Sequence, residues 1–385
     1  MPNKPRLTAI ESLRGIAFMA VVLQHSIAHY AYVPGVTFTD GIVMSVLLML
    51  SKFAVPAFIF ITGMVLFYNY EDRFASRTFL KRRVTDIFLP YILWSVIYIC
   101  FNIWRTSGPA GFYSFDIGKS LLQLLTGKSS YHLWYIIMIM QLYLLFPFIR
   151  IAILKLKNKY KETTLLLLLL IMGVVYLILM YYRGRIGEWA AIANIPGITP
   201  WFTTYADRNV LFFFFYFLLG AAAGLYPNLW QSIVWKSRMV MIPLFILFSG
   251  YYVYELSSLF LTPEGLKINF NRVSLLRPDM ALYLVISLFV CYLAAMLLPK
   301  GFFSRALAVM GSLSFGAYLM HALMLVFSYQ IEKALYSSWS VTLQMLMTFL
   351  IASLLSLGMT RLIAFFKVGK WIVGIHIPLS KKNKL

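Results

Sequence analysis

The stretch ESLRGIAFMAVVLQHSIAH, residues 11–29, reads as a membrane-spanning helix with a cation near its start and two imidazoles near its end. Charged and titratable side chains inside a bilayer are costly, so they indicate either a function or a buried pairing. Arg14 and His25 are eleven residues apart, which at about 100° per residue places them on one face, about 16 Å apart along the axis. His29 follows His25 by one turn on that face. The helix thus presents its cation toward one membrane surface and its imidazoles toward the other.

The composition of the whole chain is that of a membrane protein. Of 385 residues, 61% are hydrophobic and only 12% are charged, whereas soluble domains average about 25% charged residues. Lys and Arg outnumber Asp and Glu by 34 to 13, but they cluster in short loops between apolar runs. Membrane topology explains such clusters, so we expect no nucleic-acid partner. Cys100 and Cys291 lie within apolar runs and show neither disulfide nor metal-ligand spacing, so we expect no metal.

Ten runs are long enough to cross a bilayer, which takes about 20 apolar residues. They predict an all-α membrane protein, a bundle of about ten transmembrane helices around a central cavity. In the second run, Lys52 and Pro56 predict a break or kink, because Pro removes a backbone donor. The predicted spans are 10–30, 41–69, 87–104, 132–149, 163–182, 210–226, 239–260, 279–298, 306–329 and 340–365.

The basic residues predict the orientation of the bundle. With ten spans both termini lie on one side, and the loops and ends of that side hold 22 Lys and Arg against 10 in the opposite loops. Both termini, including Lys4 and Arg6, are therefore expected in the cytoplasm of a multi-pass protein of the cell membrane. We expect a membrane domain over 1–366 and a basic cytoplasmic tail over 367–385. In this orientation His132 and His321 lie in the outer half of the bilayer with His25 and His29.

Six segments in this order and topology carry a resemblance to a known family. The chain resembles the acyltransferase-3 family of integral membrane acyltransferases from Leu13 to about Leu323. The family often has two arginines three residues apart before its third helix; Arg83 fits the first position, whereas Asp86 occupies the second. The segments are LRGIAFMAVVLQHS (13–26), FAVPAFIFITG (53–63), FLKRRVTDIFLPY (79–91), HLWYIIMIMQLYLLFP (132–147), FYFLLGAAAG (215–224) and GSLSFGAYLMH (311–321).

The resemblance implies transfer of an acyl group, typically acetyl, from cytoplasmic acyl-CoA to a hydroxyl of an extracytoplasmic or cell-surface polysaccharide or glycan. Acyl-CoA, the glycan acceptor and the bilayer are then the partners, and a polysaccharide-synthesis machinery is a further one. Two alternatives stay open. A transporter or flippase for a polysaccharide or glycolipid would also have polar residues along its pore, and a scaffold in a synthesis complex would leave the histidines without a required role.

The first helix supplies the expected catalytic pair. Imidazole is suited to remove the acceptor's proton near neutral pH, so we expect His25 to act as general base, or as a transient acyl carrier. The alternative is a packing histidine. Arg14 is expected to bind phosphate groups of CoA or to polarise the thioester oxygen. Its alternative is a structural pair with Glu11, three residues earlier.

The other candidates are one basic cluster and four single residues. The cluster of Arg77, Lys81, Arg82 and Arg83 is expected to bind the CoA phosphates, with ordinary positive-inside topology as the alternative. Among the single residues, Lys52 is a candidate for substrate binding if it lines the pore, and the alternative is that it snorkels around the break. Three more are candidates for binding the acceptor: His132, Trp134 and His321. Their alternatives are an interfacial aromatic belt for Trp134 and an interhelical hydrogen bond for His321.

Overall fold

A computed structural model describes residues 8–72 and 74–375, so Lys4, Arg6, Arg73 and residues 376–385 of the predicted tail lie outside the described residues. The described chain is almost wholly helical and contains one small hairpin. The helices are α1 Thr8–Tyr30, α2 Phe38–Ser51, α3 Ala54–Tyr70, α4 Ser76–Arg83, α5 Leu89–Ser107, α6 Ile117–Thr126, α7 Trp134–Lys159, α8 Glu162–Ala193, α9 Phe214–Leu225, α10 Pro227–Ser257, α11 Pro278–Leu297, α12 Phe302–Leu335, α13 Val341–Ala364 and α14 Gly369–Val373. The hairpin pairs β1 Leu261–Thr262 with β2 Gly265–Leu266, antiparallel.

The predicted class, an all-α membrane protein, is confirmed. Within the described residues, eight helices are long and apolar enough to cross a membrane. The other two predicted spans coincide with α1 and with the shorter apolar stretch Val210–Leu225. Helix ends deviate most at α8 and α10, which extend past the predicted bounds of 182 and 239. In each of these two helices only 11% of the most apolar window is buried inside the bundle.

The predicted break in the second span lies at Lys52 and Phe53, between α2 and α3. A break leaves backbone carbonyls without helical partners, which is costly in an apolar environment. Neighbouring helices supply the donors. The Gln24 side chain of α1 donates to the Ser51 carbonyl at 2.6 Å, and the Tyr283 hydroxyl of α11 donates to the Met49 carbonyl at 2.9 Å. The break is therefore held at a fixed place in the bundle.

Two glycine crossings bring helices of the bundle into backbone contact. A Cβ on Gly15 of α1 would lie 2.3 Å from the Leu307 carbonyl oxygen of α12, and a Cβ on Gly311 would lie 2.2 Å from that of Glu11. Between α3 and α9, a Cβ on Gly220 would lie 2.0 Å from the Phe60 carbonyl oxygen. Small residues drive helix association in membranes because they allow this close approach.

Two regions outside the predicted spans, a loop and the start of the tail, contain short helices. The segment 105–131 contains a 3-10 turn, Pro109–Ser114, and the short helix α6. Beyond α13, α14 packs against α5, and the Trp94 indole N–H donates to the Ile372 carbonyl at 2.9 Å. The helix α14, which lies within the predicted tail, therefore packs against α5.

Replacing Gly311 by Ala tests the close crossing of α1 and α12. We expect Gly311→Ala to lower the free energy of unfolding by about 1–3 kcal/mol, because the new Cβ forces the helix backbones apart. Thermal unfolding of the purified protein in detergent measures the change.

The matched control is Gly250→Ala in α10, where nothing lies within 4 Å of the added Cβ. Ala is a better helix former than Gly by about 0.8–1.0 kcal/mol, so this variant should be as stable as the wild type or more stable. Equal melting temperatures for Gly311→Ala and the wild type would contradict the crossing.

The predicted orientation can be tested at the two ends of the helical stretch Ser76–Ser107. After Cys100 and Cys291 are replaced by Ser, single cysteines are introduced as Arg77→Cys and Tyr113→Cys; both positions are exposed. With a membrane-impermeant maleimide we expect Tyr113→Cys to react in intact cells and Arg77→Cys only in inside-out vesicles. The reverse pattern would invert the orientation.

Candidate functional site

A cavity of about 330 Å³ lies between α1, α3, α7 and α12, at the end of the bundle where α4 meets α5. Arg14 from α1 and Arg83 from α4 both line it. Two cations in one cavity repel each other, so the arrangement favours a ligand with several negative charges. Its lining also carries hydroxyl groups from Thr62, Tyr135, Tyr143, Ser312, Ser314 and Tyr318.

Arg83 is held in place by aromatic rings. It is the last residue of α4, and a π-helical turn, Val84–Phe88, connects it to α5. Its guanidinium carbon lies 5.0 Å from the ring centre of Phe79 and 4.9 Å from that of Tyr143, which are cation–π distances. Its buried Nε has no hydrogen-bond partner among the described residues. Arginine recognises phosphate through such donors, so the guanidinium retains donor capacity for an anion.

Three histidines from distant parts of the sequence meet in one cluster. The ring centres of His25 and His321 are 5.2 Å apart and the rings are stacked. The ring centre of His132, in the turn before α7, lies 4.5 Å from that of His321. His132 and His321 are fully buried, while His25 is half-buried and also contacts Tyr131 at 4.6 Å. We call His25, His132 and His321 the histidine cluster.

The hydrogen bond of His321 defines which of its nitrogens can accept a proton. Its Nδ1 lies 2.6 Å from the Tyr318 carbonyl oxygen, and because a carbonyl only accepts, Nδ1 carries the hydrogen. In the neutral ring, Nε2 then holds the lone pair, and this buried atom has no partner within the described part of the chain. An unpaired buried polar atom costs about 1–3 kcal/mol. His321 therefore presents an unused proton acceptor beside His25.

Two tyrosines separate the cavity from the histidine cluster. Tyr135 and Tyr318 line the cavity, and their ring centres are 5.7 Å apart. On its other side the Tyr318 ring lies 5.3 Å from His132 and 5.5 Å from His321. Its hydroxyl donates to the His132 carbonyl. The cationic cavity and the cluster are thus neighbours across one layer of side chains, which we call the tyrosine wall.

Comparison with known proteins assigns the family. A profile of the acyltransferase-3 family, described as an acyltransferase domain, matches residues 7–361. The chain belongs to the acyltransferase-3 family. The match covers nearly the whole chain and includes every lining residue of the cavity up to Tyr318, together with the histidine cluster. Searches of curated proteins and of solved structures return no match.

The family assignment makes this chain a membrane acyltransferase. At Asp86, where the chain departs from the expected arginine, neighbouring groups bind the carboxylate. Asp86 lines the cavity near Arg83 and accepts a hydrogen bond from the Thr85 hydroxyl at 3.0 Å. Lys370 of α14 forms an ion pair with its carboxylate at 3.3 Å. The negative charge in the position of the usual second arginine is thus countered by a lysine from the C-terminal region, which also ties α14 to the cavity.

The other basic candidates of this acyltransferase lie outside the cavity. Arg77, Lys81 and Arg82 are exposed on α4, close to Arg83 in sequence, and are not among the cavity-lining residues. Lys52 lies at the break between α2 and α3 and is not among the cavity-lining residues. Their roles in binding stay predictions.

Trp134 and His29 lie outside both the cavity lining and the histidine cluster, and each packs against another aromatic ring. Trp134 begins α7 and packs against Phe213, with ring centres 5.8 Å apart. Its backbone also packs against the turn at Gly127. Gly127 has a positive φ of 69°, and a Cβ added there would lie 2.9 Å from the Trp134 Cα, so only glycine suits this position. His29 is stacked on Tyr329 at 3.8 Å, beyond the histidine cluster.

Sequence reasoning missed the tyrosines of the acyltransferase site. Tyr318 lies one turn before His321, and Tyr131 directly precedes His132, so both had a local signal in their spacing from a histidine. Tyr135 had no such signal, because its role depends on which side of α7 faces the cavity. Tyr131 is 57% exposed although its ring contacts His25.

Proposed function

We propose that this acyltransferase transfers an acetyl or similar acyl group from cytoplasmic acyl-CoA to a hydroxyl of an extracytoplasmic polysaccharide or glycan. One observation carries the proposal: a cavity with two arginines adjoins a cluster of three histidines across the tyrosine wall. The first feature suits a donor with several phosphates, and the second suits activation of a hydroxyl.

In the proposed reaction the donor occupies the cavity with its phosphate groups at Arg14 and Arg83. About 16 Å separates Arg14 from His25 along α1, so the thioester must reach past Tyr135 and Tyr318. The acceptor enters from the opposite side, along the exposed face of Tyr131. In this proposal the donor and acceptor halves of the site open on opposite membrane surfaces, as transfer across a bilayer requires.

The chemical step needs only one proton acceptor and one stabilising charge. The acceptor hydroxyl oxygen attacks the thioester carbonyl carbon while His25 takes its proton. The C–S bond then breaks, and the departing sulfur receives the proton from the His25 imidazolium, which yields CoA thiol and an O-acyl ester. We assign to Lys52, at the break between α2 and α3, the stabilisation of the negative oxygen of the tetrahedral intermediate.

The donor site is tested by Arg14→Ala and Arg83→Ala. Each should weaken binding of acetyl-CoA to the purified protein in detergent by about tenfold to a hundredfold, because a hydrogen bond to a charged group contributes about 1.5–3 kcal/mol. Titration calorimetry measures the affinity.

The control is Arg305→Ala, an exposed arginine of α12 outside the cavity. This variant should bind acetyl-CoA as the wild type does. Unchanged affinity in both cavity variants would remove the donor site from Arg14 and Arg83.

The role of His25 is tested by His25→Phe, which keeps an aromatic ring but removes the proton acceptor. We expect O-acylation of surface glycan to fall by about 10²–10⁴-fold, the usual contribution of general acid–base catalysis, while acetyl-CoA affinity is retained. Mass spectrometry of the glycan gives the O-acyl content.

The same substitution at His29, which lies outside the cluster, serves as the control and should leave O-acylation within about threefold of the wild type, since it removes no group of the histidine cluster. If His25→Phe sharply lowered the amount of exported glycan but left the remaining exported glycan fully acylated, a transporter would replace the acyltransfer proposal for this site.

A further inference from the structure

A second, polar cavity lies at the other end of α5 from Arg83. Its volume is about 450 Å³, within the range of about 300–1,000 Å³ common for ligand sites. It lies in the angle between the end of α5 and α6, and its lining is rich in hydroxyl, amide and charged groups. We call it the α5–α6 groove; its polar lining residues are Asn102, Thr106, Ser107, Asp116, Lys119, Ser120, Gln123 and Lys128.

From this lining we infer that the α5–α6 groove binds the acceptor glycan next to its reacting hydroxyl, and this inference rests on the proposed function. Amide side chains both donate and accept hydrogen bonds, hydroxyls do the same, and lysine donates. Such a mixed set matches a sugar, whose hydroxyls also do both. Phe115, 46% exposed, adds an aromatic face to the groove against which sugar C–H groups can pack.

The groove is connected to the histidine cluster by a short, fixed segment. Lys128 lines the groove and His132 belongs to the cluster, so at most about 14 Å of extended chain separates them. The Asn102 amide donates to the Ser129 carbonyl at 3.2 Å, which pins this segment to α5. The Ser130 hydroxyl lies 3.2 Å from His132 Nδ1. A chain seated in the groove is therefore held at a defined distance from the cluster.

Tyr131 completes the path from the groove to the reacting centre. It lies between Lys128 and His132 in sequence, exposes 57% of its surface, and contacts the His25 ring at 4.6 Å. A glycan that extends from the groove across Tyr131 would place its next sugar beside His25. The groove and Arg83 lie at opposite ends of the helical stretch Ser76–Ser107, so the acceptor would not compete with the donor for space.

The α5–α6 groove can be tested with two variants that change it differently. Ser120→Trp fills the groove, whereas Gln123→Ala removes an amide and leaves the space open. The donor is acetyl-CoA labelled in its acetyl group. The acceptor is surface polysaccharide extracted from producing cells that lack the gene. Initial rates of label transfer by the full-length protein in proteoliposomes give kcat and KM for the polysaccharide.

We expect both variants to raise KM for the polysaccharide, by about tenfold or more for Ser120→Trp, while kcat and acetyl-CoA affinity stay at wild-type values. The control is Ser258→Trp, an exposed serine beyond α10 and outside the groove, which should leave KM unchanged. Gln123→Ala keeps the test decisive if Ser120→Trp does not fold.

Two outcomes would overturn the inference, and they are distinguishable. If the wild type transfers label and both groove variants keep its KM, the glycan binds elsewhere while the proposed function stands. If the wild type binds acetyl-CoA but transfers no label to any polysaccharide, the glycan acceptor itself is wrong, and the groove assignment fails with it.

Discussion

The contact between α1 and α12 at Gly15 and Gly311 determines the geometry of the site. Because neither glycine has a Cβ, each helix backbone reaches a carbonyl oxygen of the other. At this separation, side chains further along the two helices must meet, and His25 stacks on His321. Any larger residue at the crossing would separate the two rings as well as the backbones. The packing of two small residues thus controls the position of the proposed chemistry.

Burial of polar groups in an apolar bundle is the second constraint, and some of the buried side-chain atoms without a partner among the described residues lie at the proposed site while others lie elsewhere. At the Lys52 break, the Ser51 and Met49 carbonyls accept hydrogen bonds from side chains of neighbouring helices. By contrast, Arg83 Nε and the Nε2 atoms of His132 and His321 have no partners within the described residues. Unpaired buried groups of this kind are destabilising unless a ligand or water satisfies them. They lie in the cavity and in the histidine cluster, on either side of the tyrosine wall.

Much of the fold could be predicted from the sequence because hydrophobic run length and Pro and Lys positions act locally. The break near Lys52 was predicted in this way, and the position of each span was recognisable from its apolar run. The histidine cluster was predictable only in part: topology placed three histidines in the same half of the bilayer, but their contact depends on helix packing between residues up to 296 positions apart. Tyr135 and the α5–α6 groove were missed for the same reason, since neither has a periodic or spacing signal.

A structure of the protein with a non-transferable acetyl-CoA analogue, determined by electron cryomicroscopy, tests the central claim most directly. We expect the phosphate oxygens within about 3 Å of the Arg14 and Arg83 guanidinium nitrogens, with the acyl end at the tyrosine wall and directed toward His25. An analogue bound outside the cavity, or one whose acyl end points away from the histidine cluster, would contradict the proposed path from donor to acceptor.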